Sequence, residues 1–555
     1  MSTPSDHISD SDKVAFEPKA DHPDREHGTK VELPEETPHL SIGDVFRGTA
    51  VHKVTPFERK AALINAEIDK FGFGKYQKCI WLLCGFGYFL DLAWAQGVAL
   101  MASAVYQEFG TPSGRQGLLS TCSNAGLSVG AIGFGIISDL IGRKWAFNLS
   151  CLITCVFGIL LAASKSSYGA VCGIYFLASI GLGGNIPMDA TIALEFLPQN
   201  RRFLVSLLSM WQPIGIVFAC AVAYGTTAKY RCDVALPACN AVGKGEACCS
   251  LSSNMGWRYQ CIIIGAVTLV IFFARYGIFR FHESPKFLLS KGREQEAIDV
   301  LHKIAKFNGA PEPTLTVEDF HAVNSALGID ETQNTTGSGS KDVIRRAFKN
   351  LGFLRGIFLS KLQCFTFFLL ALAYMGDYWS FNLAGYFLPI VLLQNNVDSG
   401  ANTVTATYRE YIYIYLPGII GAFVALFSVQ LPLIGRKWSL VISAALQGLS
   451  MAMYTQVKTT AGYVGLNALE YIMQTYFNAV LYASAPEMFD TTSRASASGL
   501  LSCLGRIAGI VAPFAGQKYI DQGRAGVLWL GAGGIWLSSF VMCFLPIEMR
   551  NRQMY

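Results

Sequence analysis

The string Gly142-Arg143-Lys144-Trp145 returns as Gly435-Arg436-Lys437-Trp438, about 293 residues later. A second pair repeats with it: Glu195 stands seven residues before Arg202, and Glu487 seven before Arg494. Two unrelated spacings sharing one offset mark the chain as two copies of one half. Both copied elements lie between long apolar stretches, so the fold class is an all-α membrane protein with two related bundles, a plan common among secondary transporters.

Composition agrees. Of 555 residues, 52% are hydrophobic and 15% charged, whereas a soluble domain carries about 25% charged residues. A spanning helix needs about 20 apolar residues. Twelve candidates start near Cys79, Gly117, Trp145, Gly169, Phe203, Tyr259, Gln363, Tyr411, Trp438, Gly462, Ser496 and Ala525. The expected fold is therefore 12 transmembrane helices in two pseudo-symmetric six-helix bundles. Residues 1–75 read as a disordered cytoplasmic tail, rich in Asp, Glu, Lys, His and Pro and without an apolar run or cleavable signal peptide. Residues 76–281 form the first bundle, 282–361 a cytoplasmic central loop with short helices, 362–546 the second bundle and 547–555 a cytoplasmic C-terminal tail. Within the central loop, Ala297, Ile298, Leu301 and Ile304 share one face of a helix over 294–307. A Gly/Ser/Thr linker follows over 332–340. Its Asn334 sequon is expected to stay unmodified on the cytoplasmic side.

Arg143/Lys144, Arg201/Arg202, Arg436/Lys437, Arg494 and Arg550/Arg552 all fall on one side of this plan. The positive-inside bias makes that side cytoplasmic. The opposite loop holds Lys229, Arg231, Lys244 and Arg258, and four cysteines: Cys232, Cys239, Cys248 and Cys249. They are disulfide candidates facing outward or into a lumen, with three pairings open. The other eleven of the fifteen cysteines lie in apolar segments as small buried thiols. No metal site is expected.

Gly135-Ile-Ile-Ser-Asp139-Leu-Ile-Gly142-Arg143-Lys144 resembles the loop motif of the major facilitator superfamily, with Leu140 where a basic residue is usual. The second copy keeps Gly435-Arg436-Lys437 and has Pro432 in place of the acid. Glu283-Ser284-Pro285-Lys286-Phe287-Leu288 resembles the sugar-porter signature. Gly87-Tyr-Phe-Leu-Asp91 and Gly181-Leu-Gly-Gly184-Asn185-Ile-Pro187-Met-Asp189-Ala-Thr191-Ile-Ala-Leu-Glu195 are similar to the branch of synaptic-vesicle glycoproteins and of phosphate and organic-ion symporters. Phosphate symporters have Asp in place of Asn185 and a small neutral residue in place of Asp189, which argues against phosphate. The loops resemble uncharacterised fungal transporters of this branch.

The resemblance implies that helices 1, 4, 7 and 10 line a central cavity. Each carries an acid: Asp91, Asp189, Asp377 and Glu470. A charge at the bilayer centre costs about 2.5–3.5 kcal/mol on insertion scales, so these four should face a wet cavity or carry a proton. Asp91, in mid-helix, is the leading proton acid. Asp189 reads either as a cavity residue or as a solvated cap or a partner for Arg201. Asp377 reads as cavity lining or as a structural partner for Arg506. Asn467, Glu470, Gln474 and Asn478 form one polar stripe at helical spacing. Arg506 is the only clear cation deep within a span. It can bind an anion or neutralise Asp377 or Glu470, and four acids against one arginine favour a neutral or cationic substrate. Trp211 and Gln212 are placed beside the cavity, with Asn185. The glycines of helix 4 either expose backbone carbonyls or let helices approach closely.

By resemblance, Asp139, Arg143, Glu195 and Arg202, with Arg436, Glu487 and Arg494, close a cytoplasmic gate. Glu195 is expected to join Arg143 and Arg202, and Glu487 to join Arg436 and Arg494. The implied function is secondary active transport, proton-coupled uptake of a small organic solute by alternating access. Efflux of a metabolite or drug by proton antiport is the alternative, and a non-transporting sensor on a carrier scaffold is the alternative from another class. No nucleophile–base pair, P-loop or metal cluster points to an enzyme. The expected partners are a small-molecule substrate and the lipid bilayer, with no nucleic acid and no cofactor beyond the proton. The expected state is a monomer, in the plasma membrane or in a vacuolar or other endomembrane.

Overall fold

The computed structural model describes residues 56–326, 358, 361–396 and 404–546, except 113, 114, 116, 166, 234, 244, 245, 279, 280, 455, 456, 458, 490–492 and 521–523. The linker over 332–340 with its sequon, the C-terminal tail and most of the N-terminal tail lie outside these residues.

The described chain is helical. Helices α1 (Pro56–Phe71), α2 (Lys75–Phe109), α3 (Leu118–Ile141), α4 (Arg143–Ala162), α5 (Tyr168–Gly183) and α6 (Asn185–Phe196) come first. A 3-10 segment (Gln199–Met210) then leads into α7 (Trp211–Gly225), followed by α8 (Gly256–Phe273) with a π turn (Ala274–Ile278). The connecting helices are α9 (Pro285–Ser290), α10 (Glu294–Asn308) and α11 (Val317–Ala326). The rest are α12 (Lys361–Asn396), α13 (Val404–Tyr415), α14 (Gly418–Gln430), α15 (Gly435–Tyr454), α16 (Thr460–Glu487), α17 (Arg494–Ile520) and α18 (Arg524–Met542).

Among the described residues, nine helices are long and apolar enough to cross a membrane, and Gly526–Met542 is a shorter apolar helix. Two further helices, α15 and α16, have 20 and 28 residues. At 1.5 Å per residue both reach across a hydrocarbon core of about 30 Å. Most of their polar positions, the Asn467–Glu470–Gln474 stripe among them, are buried in protein, so low hydropathy here reflects an interior location.

One packing pattern occurs twice. In the first half α2 packs on α7 and α8, α3 on α5, and α4 on α5 and α8. In the second, α12 packs on α17 and α18, α14 on α16, and α15 on α16 and α18. The halves meet where α3 lies along α17, and where α13 and α14 lie along α7 and the 3-10 segment. At the first of these seams a Cβ on Gly499 would overlap the Ala131 carbonyl. Small residues thus set the approach of the two helices.

The structure corrects the reading of residues 56–71 as disordered tail. Ala61, Ile64, Ile68 and Phe71 recur at helical spacing and are buried, and α1 packs on α9, α10 and α11. Lys60 pairs with Glu294 at 2.6 Å, and Asp69 accepts from the Gln199 backbone N–H at 2.7 Å. The connecting helices begin as their residues dictate: Ser284 caps α9 with Pro285 in the first turn. In α10, Ala297, Ile298, Leu301 and Ile304 are buried.

Candidate functional site

The four acids do not form one ring. Asp91 of α2 is buried at the seam, where the charge of Arg506 from α17 acts on it. Arg506 is 1% exposed, its Cζ lies 5.7 Å from the Tyr378 ring centroid, and its Nε and Nη1 have no hydrogen-bond partner. Tyr482 lies 6.4 Å from Tyr88 and 5.8 Å from Tyr374, ring to ring. These tyrosines come from α2, α12 and α16, so an aromatic floor joins the two halves.

Asp189 is neither a solvated cap nor a partner of Arg201. It is fully buried, and its Oδ2 lies 3.7 Å from Arg275 Nη2. Arg275 rides on the π turn after α8, stacks on Phe147 at 3.8 Å and donates to the Leu83 carbonyl at 3.0 Å. Arg506 is therefore not the only deep cation. A Cβ on Gly87 would overlap Asp189 Oδ2, so this position of the helix-1 motif must stay bare. Beside it, Asn185 accepts from the Ser150 hydroxyl at 3.0 Å. The helix-4 glycines serve close approach: a Cβ on Gly183 would overlap the Leu127 carbonyl, and one on Gly181 would lie 2.5 Å from the Ser150 carbonyl.

Asp377 is not paired with Arg506. The Asn478 amide, oriented to satisfy both groups, donates to Asp377 Oδ2 at 2.9 Å and Oδ1 at 3.2 Å. Glu470 turns into the second half and accepts from Gln447 of α15 at 3.1 Å. It opens on a cavity of about 20 Å³, measured as the space open to a water's centre, with Ser450, Met451, Tyr454 and Asn467 in its wall. That is room for about one water. Gln474 and Gln212 are buried. Trp211 packs 5.2 Å from Phe86 and 6.3 Å from Trp81, ring to ring, against the flank of α2.

At the end carrying the repeated Gly-Arg-Lys strings, Arg143 is 1% exposed and donates to Glu195 at 3.0 Å, with Asp139 at 3.2 Å. Asp139 crosses to the other half, accepting from the Ser496 backbone N–H at 2.8 Å and its hydroxyl at 2.7 Å. It thereby caps the start of α17. Arg436 pairs with Glu487 at 2.8 Å. Arg202 does not join Glu195: the acid acting on it most strongly is Glu487 of the opposite half. Arg494 donates to the Phe489 carbonyl at 3.2 Å, and its charge acts on Glu487. Glu283 accepts from the backbone N–H groups of Arg143 and Lys144 at 2.8 and 3.3 Å, which ties the two family-like motifs together. Burial pushes the Glu283 carboxyl up and, reinforced by the charges of Arg202 and Arg494, pushes the Lys286 ammonium well down. Nearer the other end, Asn124 of α3 donates to Asn382 of α12 at 3.3 Å, again across the halves. There Cys232 pairs with Cys249 and Cys239 with Cys248.

Sequence reasoning missed Arg275 and the tyrosines 88, 374, 378 and 482. Apolar residues on both sides of Arg275, from Phe272 to Phe281, were the available signal.

Residues 79–555 match the model of the family described as "Sugar (and other) transporter". The chain is 32% identical over 511 residues to "MFS siderochrome iron transporter 1" of Ceriporiopsis subvermispora, covering 92% of this chain and 94% of that protein. It is 24% identical over 515 residues to the "Synaptic vesicle 2-related protein" of Bos taurus, covering 88% and 82%. Among solved structures, the major facilitator proton:xylose symporter XylE superposes with a TM-score of 0.64 at 17% identity, over 86% of this chain and 97% of that one. The human organic anion transporter MFSD10 gives 0.55 at 12%, over 84% and 99%.

Proposed function

Because the chain belongs to the sugar (and other) transporter family of the major facilitator superfamily, we propose that it is a proton-coupled secondary transporter taking up a small organic solute by alternating access. In this reading twelve helices span the bilayer as two pseudo-symmetric six-helix bundles, the Gly-Arg-Lys end faces the cytoplasm, and the protein works as a monomer. The observation that carries the proposal is Arg506 of the second half, buried with two guanidinium nitrogens unpartnered, whose charge acts on the buried Asp91 of the first half.

Those nitrogens suit an acceptor oxygen on the solute, such as a carboxylate or carbonyl. A proton on Asp91 would free Arg506 for the solute; its loss would restore the pair and release the cargo. The bundles would rock about the seam, breaking Asp139–Ser496 at one end and Asn124–Asn382 at the other in turn. Isolated exposed ion pairs contribute only about 0–1 kcal/mol, so the buried network around Arg143 carries more of the inner gate.

The test has two stages. Metabolomics of medium and cytosol in a strain lacking the protein identifies the solute and the sign of flux. In proteoliposomes, an imposed pH gradient should then drive accumulation, and Asp91→Asn should abolish it while sparing counterflow exchange. Accumulation indifferent to the gradient, or intact in Asp91→Asn, refutes the coupling scheme.

A further inference from the structure

Each buried carboxylate of the spanning helices has an arginine, with two exceptions among the described residues. Asp139 and Glu195 share Arg143, Glu487 has Arg436, Asp189 has Arg275, and Asp91 lies in the field of Arg506. Asp377 and Glu470 have none. The charge that acts on Asp377 is that of Glu470, a like charge.

Both are at least nine-tenths buried, Asp377 at 2% and Glu470 at 8% exposure. A carboxylate removed from water without a counter-charge is strongly disfavoured, and two acting on each other more so. This pair needs positive charge from outside the polypeptide. The adjoining cavity has the chemistry to admit it. The Asn467 Nδ2 is committed to the Tyr463 carbonyl, which leaves the Asn467 carbonyl oxygen as an acceptor. Ser450 donates to the Gln447 carbonyl and keeps its own lone pairs. The Tyr454 hydroxyl and Gln447 Oε1 are buried without a hydrogen-bond partner. The set is one carboxylate with neutral oxygens, hard donors that suit a small hard cation. No cluster of three or more His, Cys, Asp or Glu that would hold a transition metal occurs among the described residues.

We propose that Glu470 and the cavity between α12, α15, α16 and α18 form a binding site for one monovalent cation, a proton or Na⁺, whose charge also offsets that of Asp377. The site lies within the second half, apart from the Arg506–Asp91 seam. It rests on the transporter reading for its role, which is to bind a coupling ion in addition to the proton on Asp91, at a place the solute does not occupy. The binding itself is measurable without transport.

The test uses purified full-length protein in lipid nanodiscs. In the first arm, infrared difference spectra are recorded between about pH 5 and pH 9. A protonated-carboxyl band that titrates in the intact protein, disappears in Glu470→Gln and persists in Asp91→Asn assigns a proton. In the second arm, radioactive Na⁺ binding near one ion per chain at alkaline pH, weakened about tenfold or more in Glu470→Gln, assigns Na⁺. Tyr454→Phe, which removes one oxygen and keeps the ring, should weaken whichever ion binds by several-fold, and guards against misfolding of the charge variant. A carboxyl band and Na⁺ binding both indifferent to Glu470→Gln and Tyr454→Phe overturn the proposal. The transporter reading fails separately, by the absence of solute flux in the intact protein.

Discussion

In the first half the innermost acid, Asp189, sits 3.7 Å from Arg275, whose guanidinium is stacked on Phe147 and tied to the Leu83 carbonyl. The second half instead holds Asp377 and Glu470, served by amides of Asn478 and Gln447 and by a small cavity. The helices pair alike in the two halves, yet one interior closes its charge internally and the other leaves it open. Duplication thus copied the scaffold, while electrostatics diverged. A closed ion pair makes a stiff half, since separating its partners leaves charge buried. An open acid pair makes a half whose energy depends on what it binds.

The sharpest way to break this contrast is to remove one charge from each interior. Arg275→Met strands Asp189 and should cost about 3–5 kcal/mol, seen as loss of folded protein or a large fall in melting temperature. Adding Asp189→Asn should recover most of it. Glu470→Gln should leave the melting temperature unchanged or raise it, because the Gln447 contact can persist while a buried charge is relieved. Equal destabilisation by Arg275→Met and Glu470→Gln would dissolve the distinction.

A smaller effect should follow from Gly87→Ala. The added methyl meets Asp189 Oδ2 and lies 2.7 Å from Arg275 Nη2, so the pair must shift. Overpacking of this kind costs about 1–3 kcal/mol. Thermal unfolding reads it, and a variant as stable as the parent would mean that the pair is loosely held.

The ends carrying the Gly-Arg-Lys strings repeat the theme at lower energy. In the first half Asp139 is fixed by Arg143 and caps Ser496; in the second, Pro432 stands at the acid's position and Arg436 has Glu487. Asp139→Ala should weaken the cap by about 0.5–2 kcal/mol and open this end several-fold more often. Labelling of a cysteine placed at buried Ser498 reports it, and labelling at the parental rate counts against a latch here.

What the sequence made legible follows the same division. Repeated strings and apolar runs exposed the duplicated helices, and the acids stood out because charge is rare in such segments. Direction within a helix was harder. The stripe from Asn467 to Asn478 showed a polar face, but its period cannot say whether that face looks to the seam or into its own half. Arg275 was hidden because a window reads a cation near an apolar run's end as a loop residue, whereas the π turn draws it back inside. Helix α1 was averaged away in a charged, proline-bearing tail, although Ala61, Ile64 and Ile68 already had helical spacing. The cysteine pairing needed three-dimensional proximity that spacing does not encode.

Lys286 provides the mildest probe, because its charge lies in the connecting region and belongs to neither interior. It is 3% exposed, and burial together with Arg202 and Arg494 holds its ammonium well below the ordinary lysine value of 10.5. The folded chain therefore binds fewer protons at this residue than the unfolded chain does between its depressed value and 10.5. Stability must rise with pH across that window. Lys286→Met removes the penalty, so it should raise the melting temperature by a few degrees near neutral pH. The gain should shrink as pH approaches the ordinary lysine value, where the unfolded lysine also loses its proton. Melting curves of both proteins over that range decide it. A gain that stays constant with pH would assign the effect to packing of the methionine, and a loss would mean that Lys286 is held charged by Glu195 and Asp69, the acids that act on it.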